Sequence, residues 1–227
     1  MSFAEFQSLP SNYFVYFSEI RKKLLVLCVF FVLVFASSFF LSGRIVKFFL
    51  EVFNVENVKI VIASPFQFFS LAVNAAFFLA IILTFPLAIF SIFRFFKSAL
   101  TRKEIRFLRG IIFNSILLFF LGFVFGLFLM YYVVVALAGF NFNLGITNLW
   151  DISLFFSQTM LTAALLGIIF QFPIVLTILI RFDLIDVGYL KKNRHWAIFL
   201  AFLIPALLPP TDALSLLIMA TLSIVIF

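Results

Sequence analysis

Residues 111–136, IIFNSILLFFLGFVFGLFLMYYVVVA, contain no charged side chain. A helix that crosses the hydrocarbon core of a bilayer needs about 20 apolar residues in succession, and this stretch is longer than that. It therefore predicts a transmembrane α-helix, and it places the chain among membrane proteins.

Similar apolar runs lie on both sides of this stretch. Three of them, residues 24–41, 69–93 and 157–180, are also long enough to span. Two further runs, residues 196–208 and 213–227, are short for a full crossing. Between a re-entrant hairpin and two short crossings of a locally thinned bilayer, we favour the two crossings.

The predicted fold class is all-α, a single integral membrane domain over residues 1–227 with six transmembrane helices, the last two short. A tight turn separates that last pair. Pro209 and Pro210 end one helix, and either Thr211 or Asp212 is positioned to cap the next.

Composition agrees with this class: 66% of the residues are hydrophobic, 11% are charged, and the mean hydropathy is +1.29. The net charge of +7 fits basic loops flanking a membrane better than a nucleic-acid surface. Cys28 is the single cysteine and lies in an apolar run, so no intrachain disulfide can form. No nucleotide-binding motif, metal-ligand spacing or catalytic constellation is present in the sequence. We expect no cofactor, no metal, no catalytic residues and no enzymatic activity.

The basic residues give the orientation. They concentrate before the first predicted span, between the second and third, and between the fourth and fifth: Arg21, Lys22, Lys23, Arg94, Lys97, Arg102, Lys103, Arg106, Arg109, Arg181, Lys191, Lys192 and Arg194. Loops rich in Lys and Arg stay in the cytoplasm, so the amino terminus is predicted to be cytoplasmic. On the opposite side, the apolar periodicity of residues 45–53 predicts a short amphipathic helix lying on the outer surface.

Two glutamates stand out on the basic side. Glu19 lies just before the first span, and Glu104 lies in the loop between the second and third. One interpretation is that each only pairs with adjacent Arg or Lys side chains, as surface ion pairs commonly do, or favours a helix amino terminus. The alternative is that they form a receptor for a cationic ligand.

One polar side chain lies deep in an apolar run. Gln171 occurs in Phe170-Gln171-Phe172-Pro173, near the middle of the fourth predicted span. An unpaired amide in hydrocarbon costs several kcal/mol, so it must face another helix or a partner. An internal helix contact and a partner contact are equally open. Pro173, and Pro86 in the second span, are each expected to free a backbone carbonyl group from its helical hydrogen bond and to kink or narrow the helix at that point.

These motifs, in this order, resemble the TatC family. The resemblance covers residues 16–212 and rests on Glu19-Ile20-Arg21, Pro65-Phe66-Gln67-Phe68-Phe69, Pro86, Glu104, Leu118-Phe119-Phe120-Leu121-Gly122-Phe123-Val124-Phe125, Phe170-Gln171-Phe172-Pro173, Lys191-Lys192-Asn193-Arg194 and Pro209-Pro210-Thr211-Asp212. The chain departs from the family pattern where Tyr16 replaces a histidine, Gln67 a glutamate and Leu216 a glutamine.

The resemblance implies a core subunit of the twin-arginine translocase. It would bind twin-arginine signal peptides of folded proteins through Glu19, Glu104 and Arg21, since carboxylates pair strongly with guanidinium groups. Gln171, Phe170 and Pro173 would bind a partner helix. Implied partners are TatA/TatB-like single-span proteins, other copies of the chain within the complex, and the lipid bilayer, but not nucleic acid.

The resemblance further implies energy from the protonmotive force and a multi-pass location in the cell inner membrane, or in an organellar membrane for an organelle-encoded chain. Two other functions remain open from the residues alone. One is a small secondary transporter or channel with a midplane polar site at Gln171. The other is a scaffold that organises other membrane proteins.

Overall fold

The computed structural model describes residues 11–55, 58–96 and 102–182, together with ten isolated positions: Ile185, Asp186, Gly188, His195, Phe199, Leu203, Ala206, Leu217, Ala220 and Thr221. Its elements in chain order are α1 (Ser11–Val52), β1 (Val58–Val61), α2 (Gln67–Phe96), α3 (Arg102–Asn143), β2 (Asn148–Asp151), α4 (Ile152–Ile169) and α5 (Phe172–Arg181). The chain is mostly helical, as the apolar runs predict.

Four helical stretches within the described residues are long and apolar enough to cross a membrane: Arg21–Val52, Gln67–Phe93, Arg109–Asn143 and Ile152–Arg181. Each contains one of the four long predicted spans. The two short predicted spans, residues 196–208 and 213–227, lie mostly outside the described residues, as does the predicted turn at Pro209, Pro210 and Asp212.

α1 differs from the expectation at its carboxyl-terminal end. This end of the molecule lies opposite the basic residues and is named the outer end for that position alone. No break separates the first span from the predicted surface helix at residues 45–53, because α1 continues without interruption to Val52. Val46, Phe49 and Phe53 are buried, where they pack on Phe155 and Phe156 of α4 and on neighbouring apolar side chains. The prediction of a separate helix on the outer surface is therefore wrong: the apolar stripe of this segment faces the protein core.

The all-α prediction missed a small sheet at this same end. β1 and β2 pair in parallel, with Val58 opposite Asn148 and Val61 opposite Asp151. Parallel strands need a long crossover between them, and here α2 and α3 supply it. Ile60 and Trp150 pack against the apolar cluster around Phe49 and Phe155, so the sheet forms part of an aromatic cap over the outer end of the helices.

The helix α1 is peripheral along its membrane-spanning part. Only 6% of the residues in its most apolar 18-residue stretch are buried, against 28% in the corresponding stretch of each of the other three spans. Its ring contacts in this part include those of Phe31 with Phe77 and of Phe39 with Phe69, both on α2. Among the described helices, α2, α3, α4 and α5 therefore form the more enclosed body, with α1 packed on α2 at its side.

Close packing of α3 on α4 depends on small residues. A Cβ atom added to Gly126 would lie 2.5 Å from the Cα of Ala163, and one added to Gly122 would lie 2.8 Å from the backbone oxygen of Leu166. Gly122 and Gly126 are one helical turn apart, the spacing that lets membrane helices approach closely. This close approach fixes α4 against α3. It thereby also sets the position of Gln171, which follows α4, relative to α3.

Candidate functional site

The helices carry the predicted signal-peptide residues near their starts. Glu19 and Arg21 lie within α1, and Glu104 is the third residue of α3, which begins at Arg102. Glu104 was expected in a loop. Instead it lies in the first helical turn, where the helix dipole stabilises a negative charge.

The end of the molecule that carries these residues also presents several exposed cationic side chains. Arg106 and Arg109 on α3 are exposed, as is Arg21 on α1. Arg181, the last residue of α5, also reaches the start of α3, since its Cζ atom lies 5.1 Å from the centroid of the Phe107 ring. α3 and α5 are therefore joined at the end of the body that carries the basic residues, through a contact that the sequence did not indicate.

Beneath this contact lies an apolar layer. Ile89 and Phe93 of α2 and Ile111 of α3 are buried, and Phe107, Ile174 and Ile178 are among the side chains packed on them. This layer fixes the spacing of α2, α3 and α5 just below the basic end. The first turns of α3 are therefore packed against α2 and α5 through Phe107.

The second predicted site, around Gln171, is a set of hydrogen bonds between α3 and the α4–α5 junction. The buried Ser115 hydroxyl donates to Gln171 Oε1. Gln171 Nε2 donates to the Ser115 carbonyl oxygen at 3.0 Å and to the Gly167 carbonyl oxygen at 3.5 Å. The amide is thus satisfied within the chain, as the internal alternative predicts for a polar group at this depth.

Pro173 explains why Gln171 can make these contacts. α4 ends at Ile169 and α5 begins at Phe172, so residues 170 and 171 form a turn between two helices. Pro173 has no N–H to donate to the carbonyl group one turn back, which favours a break at this point. The predicted disruption at Pro173 is confirmed, whereas α2 continues through Pro86 without interruption.

Phe170 anchors the turn. Its side chain is buried against α3, where it contacts the Phe125 ring at a centroid distance of 6.2 Å and closes over Gly122. Of the three residues predicted to bind a partner helix, Phe170 is therefore buried in the protein interior. Gln171 and Pro173 are half-buried and retain some accessible surface.

A third polar cluster lies at the outer end and was not predicted as a site. Gln67 accepts a hydrogen bond from the Ala63 N–H at 2.6 Å and donates one to Asp151 Oδ2. Asp151 Oδ1 caps α4 by accepting from the Leu154 N–H at 2.9 Å. The Leu154 N–H, followed by the Gln67 amide, lowers the pKa of Asp151 below its ordinary value of 3.8. An aspartate directly before an apolar run is a cap signal that could have identified half of this cluster.

Within the described part of the chain, no group of three or more His, Cys, Asp or Glu side chains is placed to hold a metal ion. Cys28 is exposed on α1. Among these described residues, the polar groups in contact are side-chain amides and hydroxyls, the capping carboxylate of Asp151, and the Arg181 guanidinium group over the Phe107 ring. Such groups are suited to recognition and helix positioning.

Comparison with known proteins gives a consistent result. Residues 16–221 match the family model of the Sec-independent protein translocase protein (TatC). The chain is 27% identical over 202 residues to the Sec-independent protein translocase protein TatCy of Bacillus subtilis, an alignment that covers 87% of this chain and 78% of that protein. It is 33% identical over 147 residues to TatC of Desulforapulum autotrophicum, covering 62% of this chain and 52% of that one.

The fold is also similar to a crystal structure of the twin arginine translocase receptor TatC in DDM. The TM-score is 0.81 at 25% sequence identity, and the match covers 93% of this chain and 95% of the other. Similarity therefore extends over the helical body, the outer cap and the basic end together.

Proposed function

The chain belongs to the TatC family of Sec-independent protein translocase proteins, and from that membership we propose that it is the receptor subunit that binds twin-arginine signal peptides of folded proteins. Binding occurs at the basic end of the body, and Glu104 and Glu19 supply the carboxylates. Two adjacent guanidinium groups need carboxylate partners because bidentate Arg–carboxylate pairs are stronger than neutral hydrogen bonds.

The observation that supports this proposal most directly is the start of α3 at Arg102. It makes Glu104 part of the first turn of a long helix whose neighbouring Phe107 is fixed by an apolar layer. A residue on a packed helix has less backbone freedom to lose on binding than one on a flexible loop. The surrounding cations repel positively charged peptides that cannot form the carboxylate pairs, which favours selectivity.

The proposal extends to partners and energy source. TatA/TatB-like single-span proteins associate with the half-buried surface at Gln171 and Pro173, several copies of the chain act within one complex, and export uses the protonmotive force across the cell inner membrane. A photocrosslinker at position 171 should capture a TatA- or TatB-like protein. Crosslinks to lipid alone would argue against this partner surface.

The test of the receptor function is export of a folded reporter that carries a twin-arginine signal, in cells that lack their own TatC. Glu104→Gln removes the charge but keeps a side chain of similar size. We expect it to abolish export while the protein remains inserted in the membrane. Normal export by this variant would overturn the assignment of Glu104.

A further inference from the structure

Arg181 lies at the level of the lipid headgroups. It is the last residue of α5 and ends the fourth apolar span, Ile152–Arg181, which has 30 residues. At 1.5 Å per residue this span is about 45 Å long, and a bilayer with both headgroup layers is about 40–45 Å thick. A residue at the end of the span is therefore placed among the phosphate groups of the bilayer.

The guanidinium group of Arg181 is held against α3. Its Cζ atom lies 5.1 Å from the centroid of the Phe107 ring, within the range of a cation–π interaction. Ile174 and Ile178 of α5 pack in the same apolar layer as Phe107, which fixes the two helices at this level. Arg181 is nevertheless exposed, so its N–H groups can donate hydrogen bonds to a ligand from outside the chain.

A notch in the surface of α3 lies next to this guanidinium group. Gly110 follows Phe107 by three residues and Arg106 by four, so it lies one turn further along the same side of the helix. Gly110 is exposed, and a Cβ atom added to it would meet nothing within 4 Å. The missing side chain thus leaves an open space one turn deeper in the bilayer than Arg106 and Phe107. We call this space the Gly110 notch.

Exposed apolar side chains continue from the Gly110 notch towards the middle of the bilayer. Phe113, Leu117 and Leu121 of α3 are all exposed, and they follow Gly110 at intervals of three or four residues. Side chains at this spacing form one stripe along a helix. Lipid chains are as apolar as leucine, so the stripe suits an acyl chain that lies along α3.

We propose that the Gly110 notch, with Arg106 and Arg181 beside it, is a binding site for one anionic phospholipid. The phosphate group accepts hydrogen bonds from the two guanidinium groups, whose planar shape matches phosphate oxygens. The glycerol region fills the notch, and one acyl chain follows the apolar stripe. Basic pockets between membrane helices recognise acidic headgroups in this way. The inference does not depend on the proposed receptor function, since it uses neither Glu19 nor Glu104.

The charge of the site selects among lipids. Phosphatidylcholine carries a cation beside its phosphate group, and this cation is repelled by the two arginines, whereas phosphatidylglycerol has no such cation. One arginine near a membrane surface contributes a factor of about five in the binding of an acidic lipid. The first phosphatidylglycerol should therefore bind at least about fivefold more tightly than the first phosphatidylcholine.

The experiment is native mass spectrometry of the full chain in detergent, titrated with phosphatidylglycerol or with phosphatidylcholine of the same acyl chains. Arg181→Gln should weaken binding of the first phosphatidylglycerol about fivefold and should change phosphatidylcholine binding much less. Arg44→Gln is the matched control, because Arg44 is an exposed cation on α1 near the opposite end of the molecule. This control should bind the first phosphatidylglycerol as the unmodified chain does.

A second variant tests the notch without changing any charge. Gly110→Leu fills the open space and should weaken phosphatidylglycerol binding to an extent similar to Arg181→Gln. Gly139→Leu is its control, since a Cβ atom added to Gly139 on the same helix also meets nothing within 4 Å. Neither leucine clashes with the protein, so thermal unfolding of both variants should match that of the unmodified chain.

The site is supported if Arg181→Gln and Gly110→Leu both lose phosphatidylglycerol while the two controls keep it. Equal losses in Arg181→Gln and Arg44→Gln would show only a general attraction between acidic lipid and exposed cations, and would overturn the proposal. Binding by Gly110→Leu that equals binding by Gly139→Leu would overturn it as well. Displacement of phosphatidylglycerol by an equal concentration of inorganic phosphate would identify a site for a soluble anion instead of a lipid.

Discussion

Gln67, the first residue of α2, donates a side-chain hydrogen bond to Asp151, the last residue of β2, across a sequence separation of 84 residues. The same Asp151 carboxylate caps α4 through the Leu154 N–H. One side-chain pair thus connects the loop before α2 with the strand that precedes α4, and holds the outer cap on the helical body.

The carboxylate in this pair gives a prediction about pH. The pKa of Asp151 is lowered in the folded protein, so its stabilising contribution is complete above the ordinary value of 3.8 and is lost as the pH falls through the lower folded value. Asp151→Asn keeps an oxygen for the Leu154 N–H but cannot ionise. The difference in Tm between the native chain and Asp151→Asn should therefore narrow as the pH is lowered from about 6 to about 3. A difference that stays constant over this range would contradict the role of the charge.

The contact between Gly126 and Ala163 gives a prediction about packing. Gly126→Val places methyl groups where the Cα of Ala163 already lies, 2.5 Å from the new Cβ. Overpacking of this kind costs about 1–3 kcal/mol, so thermal unfolding in detergent should occur at a lower temperature. Gly139→Val is the control on the same helix, because nothing lies within 4 Å of its added Cβ. Equal unfolding temperatures for the two variants would show that α3 and α4 are not closely packed at Gly126.

Ser115 and Gln171 give a prediction about interhelical hydrogen bonding. Ser115→Ala, Gln171→Leu and the double variant form a thermodynamic cycle for unfolding. The coupling should be about 0.6 kcal/mol and at most about 2 kcal/mol, the range measured for hydrogen bonds between membrane helices. Additive effects would mean that the two side chains act independently. The Asn74 side chain, which bonds Ser157 at 2.8 Å, provides a second pair for comparison within the same body.

The proposed receptor carboxylate gives a prediction about activity. Glu104→Gln and Glu104→Ala should both abolish export of the folded twin-arginine reporter, because both remove the charge that pairs with guanidinium groups. Glu51→Gln is the matched control, since this glutamate is exposed at the opposite end of the molecule, on the last turn of α1. The control variant should export normally. A similar loss in all three would indicate a general effect of charge on insertion instead.

The long apolar runs predicted the helical body because their length alone excludes other structures. For residues 111–136 the lack of charge identifies the central part of α3. The Pro173 break also followed from local chemistry, because proline lacks the N–H that a continuous helix needs. For Gln171 the sequence required a hydrogen-bond partner but left open whether that partner lay within the chain or on another protein.

Other features depend on contacts between distant parts of the chain, and the sequence did not reveal them. β1 has only four residues and pairs with a strand beyond two complete helices, so its periodicity is too short to identify a partner. The apolar stripe at Val46, Phe49 and Phe53 is the same for a helix on a bilayer surface and for one packed on protein. Only the position of Phe155 and Phe156 in the fold distinguishes the two.

The parallel pairing of β1 with β2 has a consequence for how the protein is made. Residues 58–61 are synthesised before residues 148–151, so the first strand has no partner until α2, α3 and the second strand have followed it. The two strands can pair only if α2 and α3 are inserted as a hairpin, with the start of α2 and the end of α3 on the same side of the bilayer. Formation of the sheet is therefore a late step of biogenesis, and a chain in which α2 and α3 are inserted otherwise cannot form it.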